Sequence, residues 1–265
     1  METDAITALL HEVAADVITP RFRALADGEV DEKNPGDLVT VADREAEVLL
    51  TAALQAAYPD AVVLGEEAHA ADPRVMHRYR DAAHAFTVDP VDGTRNFVHG
   101  SPDHAVMVAE LRDGAVVRSW IYQPQWAATY VAERGSGAFC NAVRLTAAPT
   151  PPDPASWRGV TSRWPWVREQ GDGLAPLEIT WACCGVDYPR LLSGEADYVL
   201  YRGLKPWDHA PGSLLVTEAG GAAAHLDGAP YQPRDEVIGP LVVARDAATV
   251  DVVLERLAAA EWLRG

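Results

Sequence analysis

The sequence predicts an α/β or α+β fold in which mixed sheets are layered with helices. Three patterns carry this. Residues 1–58 hold two helical periodicities, residues 104–145 alternate as a meander, and the last third intersperses helix with strand. The first helix is read in "METDAITALLHEVAADV", where Ile6, Leu9, Leu10, Val13 and Val17 share one side and Thr3 or Asp4 is the expected cap. The second is "VADREAEVLLTAALQAAY" (41–58), capped by Thr40. "AVVLGEE" (61–67) and "AFTVDP" (85–90) read as strands running into acidic turns.

The meander strands are "HAVMVAEL", "AVVRSWIY" and "ATYVAER". They are separated by Arg112-Asp113-Gly114 and Gln123-Pro124-Gln125. "LTAAPTPPDPASW" (145–157) holds four prolines and no periodicity, so it reads as a boundary. We therefore expect a lobe over residues 1–148 and a second over 149–265. Beyond the boundary, "CGVDYPRLLSGEADYVLY" gives helix then strand. "HAPGSLLVTEAGGAAAHL" gives a helix stopped by Gly220-Gly221 and then a strand. "GPLVVAR" is a strand, and "ATVDVVLERLAAAEWL" (248–263) a closing helix.

Composition removes several function classes. The net charge is −17, which leaves no basic stripe for nucleic acid or an anionic membrane surface. No apolar run approaches the ~18 residues of a membrane span, and the N-terminus has acids where a secretory signal has bases. The three cysteines, Cys140 and the adjacent Cys183-Cys184, fit neither a disulfide framework nor a zinc site. The expected setting is reducing and cytoplasmic. The histidines form no H-E-x-x-H spacing; His99 and His209 are expected to flank a site rather than to ligate. The tryptophans of "SRWPWVRE" (162–169) are expected to be buried.

Four short stretches place carboxylates at element ends: "GDLVTVAD" (36–43), "LGEEA" (64–68), "DPVDGT" (89–94) and "PWDHAPG" (206–212). Three have an ordinary explanation when taken alone. Thr40 with Asp43 is a capping box, Glu66-Glu67 a solvated turn, and Asp208 an N-cap. Asp89 and Asp92 resist one. Pro90 fixes the backbone between two acids that repel, and Gly93 permits an unusual turn into Thr94-Arg95-Asn96. Carboxylates beside free backbone N–H groups suit a hard divalent cation and a phosphate. Bound metal would also reverse the local sign of an acidic site, which removes the conflict with an anionic substrate.

"DPVDGTRNFVHG" resembles the D-P-[IV]-D-G-T-x-N-F signature of the inositol monophosphatase family. "PWDHAPGSLLVTEAGG" resembles its second signature, and "DLVTVAD" and "LGEEA" match its two lesser motifs in order, over about residues 5–245. The resemblance implies a layered αβαβα sandwich of the inositol monophosphatase and fructose-1,6-bisphosphatase type, usually dimeric. It also implies magnesium-dependent, lithium-sensitive hydrolysis of a phosphate monoester by a metal-activated water. Carried over motif by motif, Glu66, Asp89 and the carbonyl of Val91 would hold a first Mg2+. Asp89, Asp92 and Asp208 would hold a second, with room in the family for a third. Thr94 with Asp43 would orient the water, and the N–H groups of Gly93 and Thr94 would hold the phosphate.

Departures fall on the substrate side. The family's G-[ST]-A-A stretch is here Ala182-Cys183-Cys184-Gly185, and the glutamate shortly before W-D is replaced by Tyr201-Arg202. Cys183, Cys184, Tyr201 and Arg202, with Asp92, are therefore the expected substrate contacts. An inositol, polyol or sugar phosphate is the expected substrate; histidinol phosphate, an adenosine 3′-phosphate and a non-catalytic binding member are the alternatives. An aspartyl-phosphate mechanism needs D-x-D-x-T and is disfavoured, because Asp89 and Asp92 are three apart.

Overall fold

A computed structural model describes residues 1–235 and 239–264. Helix α1 (Thr3–Val13) continues through a wide turn at Ala14–Ile18 and a tight one at Thr19–Arg21, where Pro20 ends it. Ile6, Leu10, Val13 and Val17 are buried as the periodicity required. The expected Thr3 or Asp4 cap does not form. Glu2 takes the cap position without a side-chain bond, and the Thr3 hydroxyl is instead donated to Glu133.

A hairpin, β1 (Val30–Asn34) and β2 (Asp37–Thr40), was not anticipated. Its turn centres on Pro35-Gly36, with Gly36 at φ +82°, the left-handed position that glycine fills without strain. Helix α2 (Val41–Ala57) follows, its Thr40–Asp43 capping box intact. Next come β3 (Val62–Gly65), α3 (Glu66–Ala71), α4 (Val75–Asp81), β4 (His84–Asp92) and α5 (Thr94–Val98). The expected acidic turn at Glu66-Glu67 is thus the first turn of a helix, where carboxylates favour the dipole. The meander is β5 (Ala105–Arg112), β6 (Ala115–Gln123), β7 (Ala128–Glu133), β8 (Gly137–Cys140) and β9 (Val143–Arg144).

After the proline-rich segment come β10 (Gly159–Thr161), β11 (Glu178–Ile179), α6 (Cys184–Ser193), β12 (Tyr198–Tyr201), α7 (Pro206–Glu218), β13 (Ala222–His225), β14 (Leu241–Ala244) and α8 (Ala247–Leu257). Helix α8 stops at Leu257, short of the expected 263, and the chain resumes as a separate 3-10 turn at Glu261–Arg264. Of the two tryptophans expected to be buried, Trp166 is, while Trp164 is 73% exposed.

Strands β3 to β9 form a seven-stranded sheet in sequence order, antiparallel except for the β3–β4 pair. The second sheet has the order β11-β10-β12-β14-β13. The pleat sends alternate residues to opposite faces, which builds five layers. Phe86, Val88, Val106 and Val108 pack with Ile6, Leu10, Leu50 and Leu54 of α1 and α2. Met107, Ala109 and Ile121, on the other face, pack with Val186 and Leu215 of α6 and α7 and with Val199 and Val243 of the second sheet. Tyr198, Leu200, Val242 and Ala244 then face Val250, Val253 and Leu257 of α8. The order is helix, sheet, helix, sheet, helix, as the sequence resemblance implies. No helix among the described residues is long and apolar enough to cross a membrane.

Candidate metal and phosphate site

Strand β4 runs two residues past its expected end, and that extension orients the site. Asp89 pairs with Met107 and Asp92 with Ala105, so β4 carries one extra residue between them. In a regular strand, residues three apart point to opposite faces. The bulge returns Asp92 to the side of Asp89. Gly93 follows at φ +81°, where a Cβ would lie 3.0 Å from the Asp103 carbonyl and from Cys183 Cβ. No side chain fits there, which explains the glycine.

Helix α7 brings Asp208 to the same place. Lys205 is its cap residue and Pro206 opens it, so Asp208 lies in the first turn and is not the N-cap expected of it. Carboxylate oxygens of Asp89, Asp92 and Asp208 all fall within 4.8 Å of one another. Asp89 Oδ1 is buried without a hydrogen-bond partner. Burial, followed by the charges of Glu66 and Asp92, pushes both Asp89 and Asp208 well above the usual carboxylate range. Burial also raises Asp92, against hydrogen bonds from Cys183 and the Gly185 N–H. Crowded, dry acids with an unpartnered oxygen are the donor set a hard divalent cation completes.

Two further acids flank the cluster. Asp43 Oδ2 accepts from Thr40 N at 2.8 Å and Thr40 Oγ1 at 2.5 Å, while Thr94 Oγ1 lies 3.0 Å from Asp43 Oδ1. The same hydroxyl is 3.0 Å from the Val91 carbonyl, so its single proton serves one of the two acceptors at a time. Burial raises Asp43 to about 6, against the hydrogen bonds from Thr40 and Thr94. The capping box and the Thr94 contact therefore coexist on one carboxylate. Burial raises Glu66 to about 7, with Lys33 opposing.

Lys33 is the residue sequence reasoning missed. Its ammonium sits 2.6 Å from Glu66 Oε1 and 2.9 Å from Glu67 Oε1. Burial works against its charge, but the two glutamates outweigh it and raise its pKa. The turn in "EKNPGD" is legible as a turn, but nothing in it names the distant acids over which it folds the lysine. Glu47 was missed as well. From α2 its carboxylate accepts the N–H groups of Glu67 and Ala68 at 2.8 and 2.7 Å, and so caps α3. A Cβ on Gly65 would come within 2.2 Å of Glu47 Cδ, so the glycine in "LGEE" is the space that cap occupies.

The substrate-side residues divide. Cys183 Sγ and Gly185 N contact Asp92 Oδ2 at 2.9 and 2.5 Å, and half-buried Cys184 begins α6 beside them. Tyr201 is 1% exposed, and its hydroxyl donates to Asp187 Oδ2 at 3.3 Å. The Arg202 guanidinium lies over the Trp166 ring, 5.9 Å from its centre. His209 is buried, held 2.9 Å from the Tyr188 hydroxyl, and pushed down to about 3 by burial, so it is neutral. The His99 ring bonds the Arg95 carbonyl.

Comparison with known proteins supplies the family. The sequence model described as the inositol monophosphatase family matches residues 2–260. An inositol-1-monophosphatase of Mesorhizobium japonicum is 35% identical over 76% of this chain and 76% of its own. A Nus factor SuhB of Pseudomonas aeruginosa is 31% identical over 75% of this chain and 76% of its own. The crystal structure of an IMPase/NADP phosphatase complexed with NADP and Ca2+ superposes with a TM-score of 0.80 at 21% identity, covering 97% of this chain and 95% of that one.

Proposed function

The chain belongs to the inositol monophosphatase family and is a phosphoric monoester hydrolase, and from that premise we propose that it hydrolyses an inositol, polyol or sugar monophosphate with Mg2+. The observation that carries the reading is the meeting of Asp89, Asp92 and Asp208 within 4.8 Å, with Asp89 Oδ1 unpartnered. In this reading Glu66, Asp89 and the Val91 carbonyl would hold one ion, and Asp89, Asp92 and Asp208 would hold another. When bound, such ions polarise a phosphoryl oxygen and lower the pKa of water.

The chain's own groups do the rest. The N–H groups of Gly93 and Thr94 receive phosphate oxygens. The Thr94 hydroxyl donates its proton to Asp43 and offers a lone pair to the attacking water, which fixes the water's direction. Asp43, raised to about 6, is mostly ionised at neutral pH yet basic enough to take a proton. Lys33 balances the negative charge at Glu66 and Glu67. The reading divides the chain into a lobe of residues 1–148, which supplies Glu66, Asp89 and Asp92, and a lobe of 149–265, which supplies Asp208. In support, the two sheets fall on either side of that boundary.

The test is phosphate release from a panel of inositol, sugar, histidinol and adenosine phosphates, with Mg2+, with chelator and with Li+. The NADP-bound relative makes a nucleotide 2′-phosphate a necessary member of the panel. We expect kcat/KM to be highest for a polyol or sugar phosphate, and release to stop on chelation and to fall with Li+. A nucleotide leading by orders of magnitude would overturn the substrate, and Mg2+ binding without release from any member would overturn the catalysis.

A further inference from the structure

Asp92 is where the two halves of the chain are bonded most directly at the site. Its Oδ2 accepts the Gly185 N–H at 2.5 Å and lies 2.9 Å from Cys183 Sγ, which is also 3.5 Å from the Asp92 carbonyl. Cys183 is the N-cap residue of the ten-residue helix α6, and its side chain makes no capping bond of its own. Asp92 therefore caps α6 from another strand, and the thiol is left to serve the capping carboxylate. The cysteine is held firmly: it is 3% exposed and packs where a Cβ on Gly93 would have to go. A carboxylate gripped on one oxygen by a backbone N–H and a side-chain donor cannot rotate freely.

We propose that Cys183 is a positioning residue: its thiol donates to Asp92 Oδ2 and fixes the rotation of the carboxylate, and thereby the oxygen it presents toward Asp89 and Asp208. A hydroxyl in the same place is an equivalent donor, whereas a methyl group is not. The carboxylate would then be left to the backbone N–H groups of Gly185, Cys184 and Gly93, and its set toward the other two acids would loosen. The proposal depends on the reading above only in taking Asp92 as a metal-bearing group.

The test compares the parent with C183S and C183A. One readout is the rise in melting temperature as Mg2+ is added; a second is the Mg2+ concentration that half-saturates phosphate release. We expect C183A to raise both midpoints by about 10- to 100-fold, and C183S to stay within about 2-fold of the parent. Infrared spectroscopy gives a third readout that needs no stable alanine variant. The parent-minus-C183S spectrum isolates the Cys183 S–H stretch, which we expect at the lowered frequency of a thiol bonded to a carboxylate. Equal midpoints in C183A and parent would overturn the proposal, as would C183S falling with C183A, an S–H band at the free-thiol position, or a parent melting temperature indifferent to Mg2+. Midpoints that behave as expected in a protein releasing no phosphate would sink the catalytic reading and leave this one standing.

Discussion

Asp92 answers to three demands at once. It must lie beside Asp89 and Asp208, accept the start of α6, and give way to a glycine that enters the next turn left-handed. Replacing it by asparagine keeps an acceptor for Gly185 and Cys183 but removes a negative charge. We expect Asp92→Asn to lower kcat/KM by at least about 100-fold, beyond what disturbing a ligand's surroundings costs. Its metal-free melting temperature should stay level or rise, because one of several repelling buried acids is gone. Parental activity would mean the acid bears no ion. At this scale the sequence was partly legible. The motif acids are short-range patterns with proline and glycine between them, and they could be read in place. Lys33 and Glu47 could not, because each acts across 20 to 34 residues on partners that only the fold supplies. Tyr201 is polar in sequence, but its place in an inner strand commits its hydroxyl to Asp187.

Each element reaches the site through a local irregularity. The bulge in β4 aligns two acids, Gly65 clears space for Glu47, and α6 contains Pro189, which cannot bond the Gly185 carbonyl four residues back. Gln123 Nε2 donates to that carbonyl at 2.7 Å instead, tying the helix to β6. Glu47 is the most testable of these. Removing a cap costs about 0.5–2 kcal/mol, and here the capped helix carries Glu66 in its first turn. Glu47→Ala should lower unfolding free energy in urea by that amount and raise the Mg2+ concentration needed for activity. A loss of stability with an unchanged Mg2+ requirement would separate the cap from the site. Helices and meander strands were legible from their periodicity. The hairpin and α4 were missed because they are short and polar, and α8 was read too long because Ala258–Ala260 continues its apolar pattern without continuing its helix.

Across the whole molecule the net charge is −17, and three of the acids, Asp89, Asp92 and Asp208, meet in one small volume. Burial lifts Asp43 to about 6 and Glu66 to about 7, from unfolded values near 4. Between about pH 4 and pH 7 the folded protein thus holds more protons than the unfolded chain. Without metal, stability is therefore present at the acid end of this window and is lost as pH rises through it. We expect the metal-free melting temperature to fall from pH 5 to pH 8, and the increment given by Mg2+ to grow over the same range. A metal-free protein equally stable at both ends would show the acids to be less strained than their burial implies. Helices and strands in mixed, layered sheets were legible because alternation and periodicity are local, while the five-layer order came from the family resemblance. That distant acids meet was what the family resemblance implied, and that a lysine and a thiol join them required the structure.

The most direct test of that meeting is an anomalous difference map from crystals grown with Mn2+ in place of Mg2+. The account predicts a peak within coordination distance of Asp89, Asp92 and Asp208 together, and a second beside Glu66 and Asp89. A map with Mn2+ absent from this hollow, or bound to one of these acids alone, would contradict it.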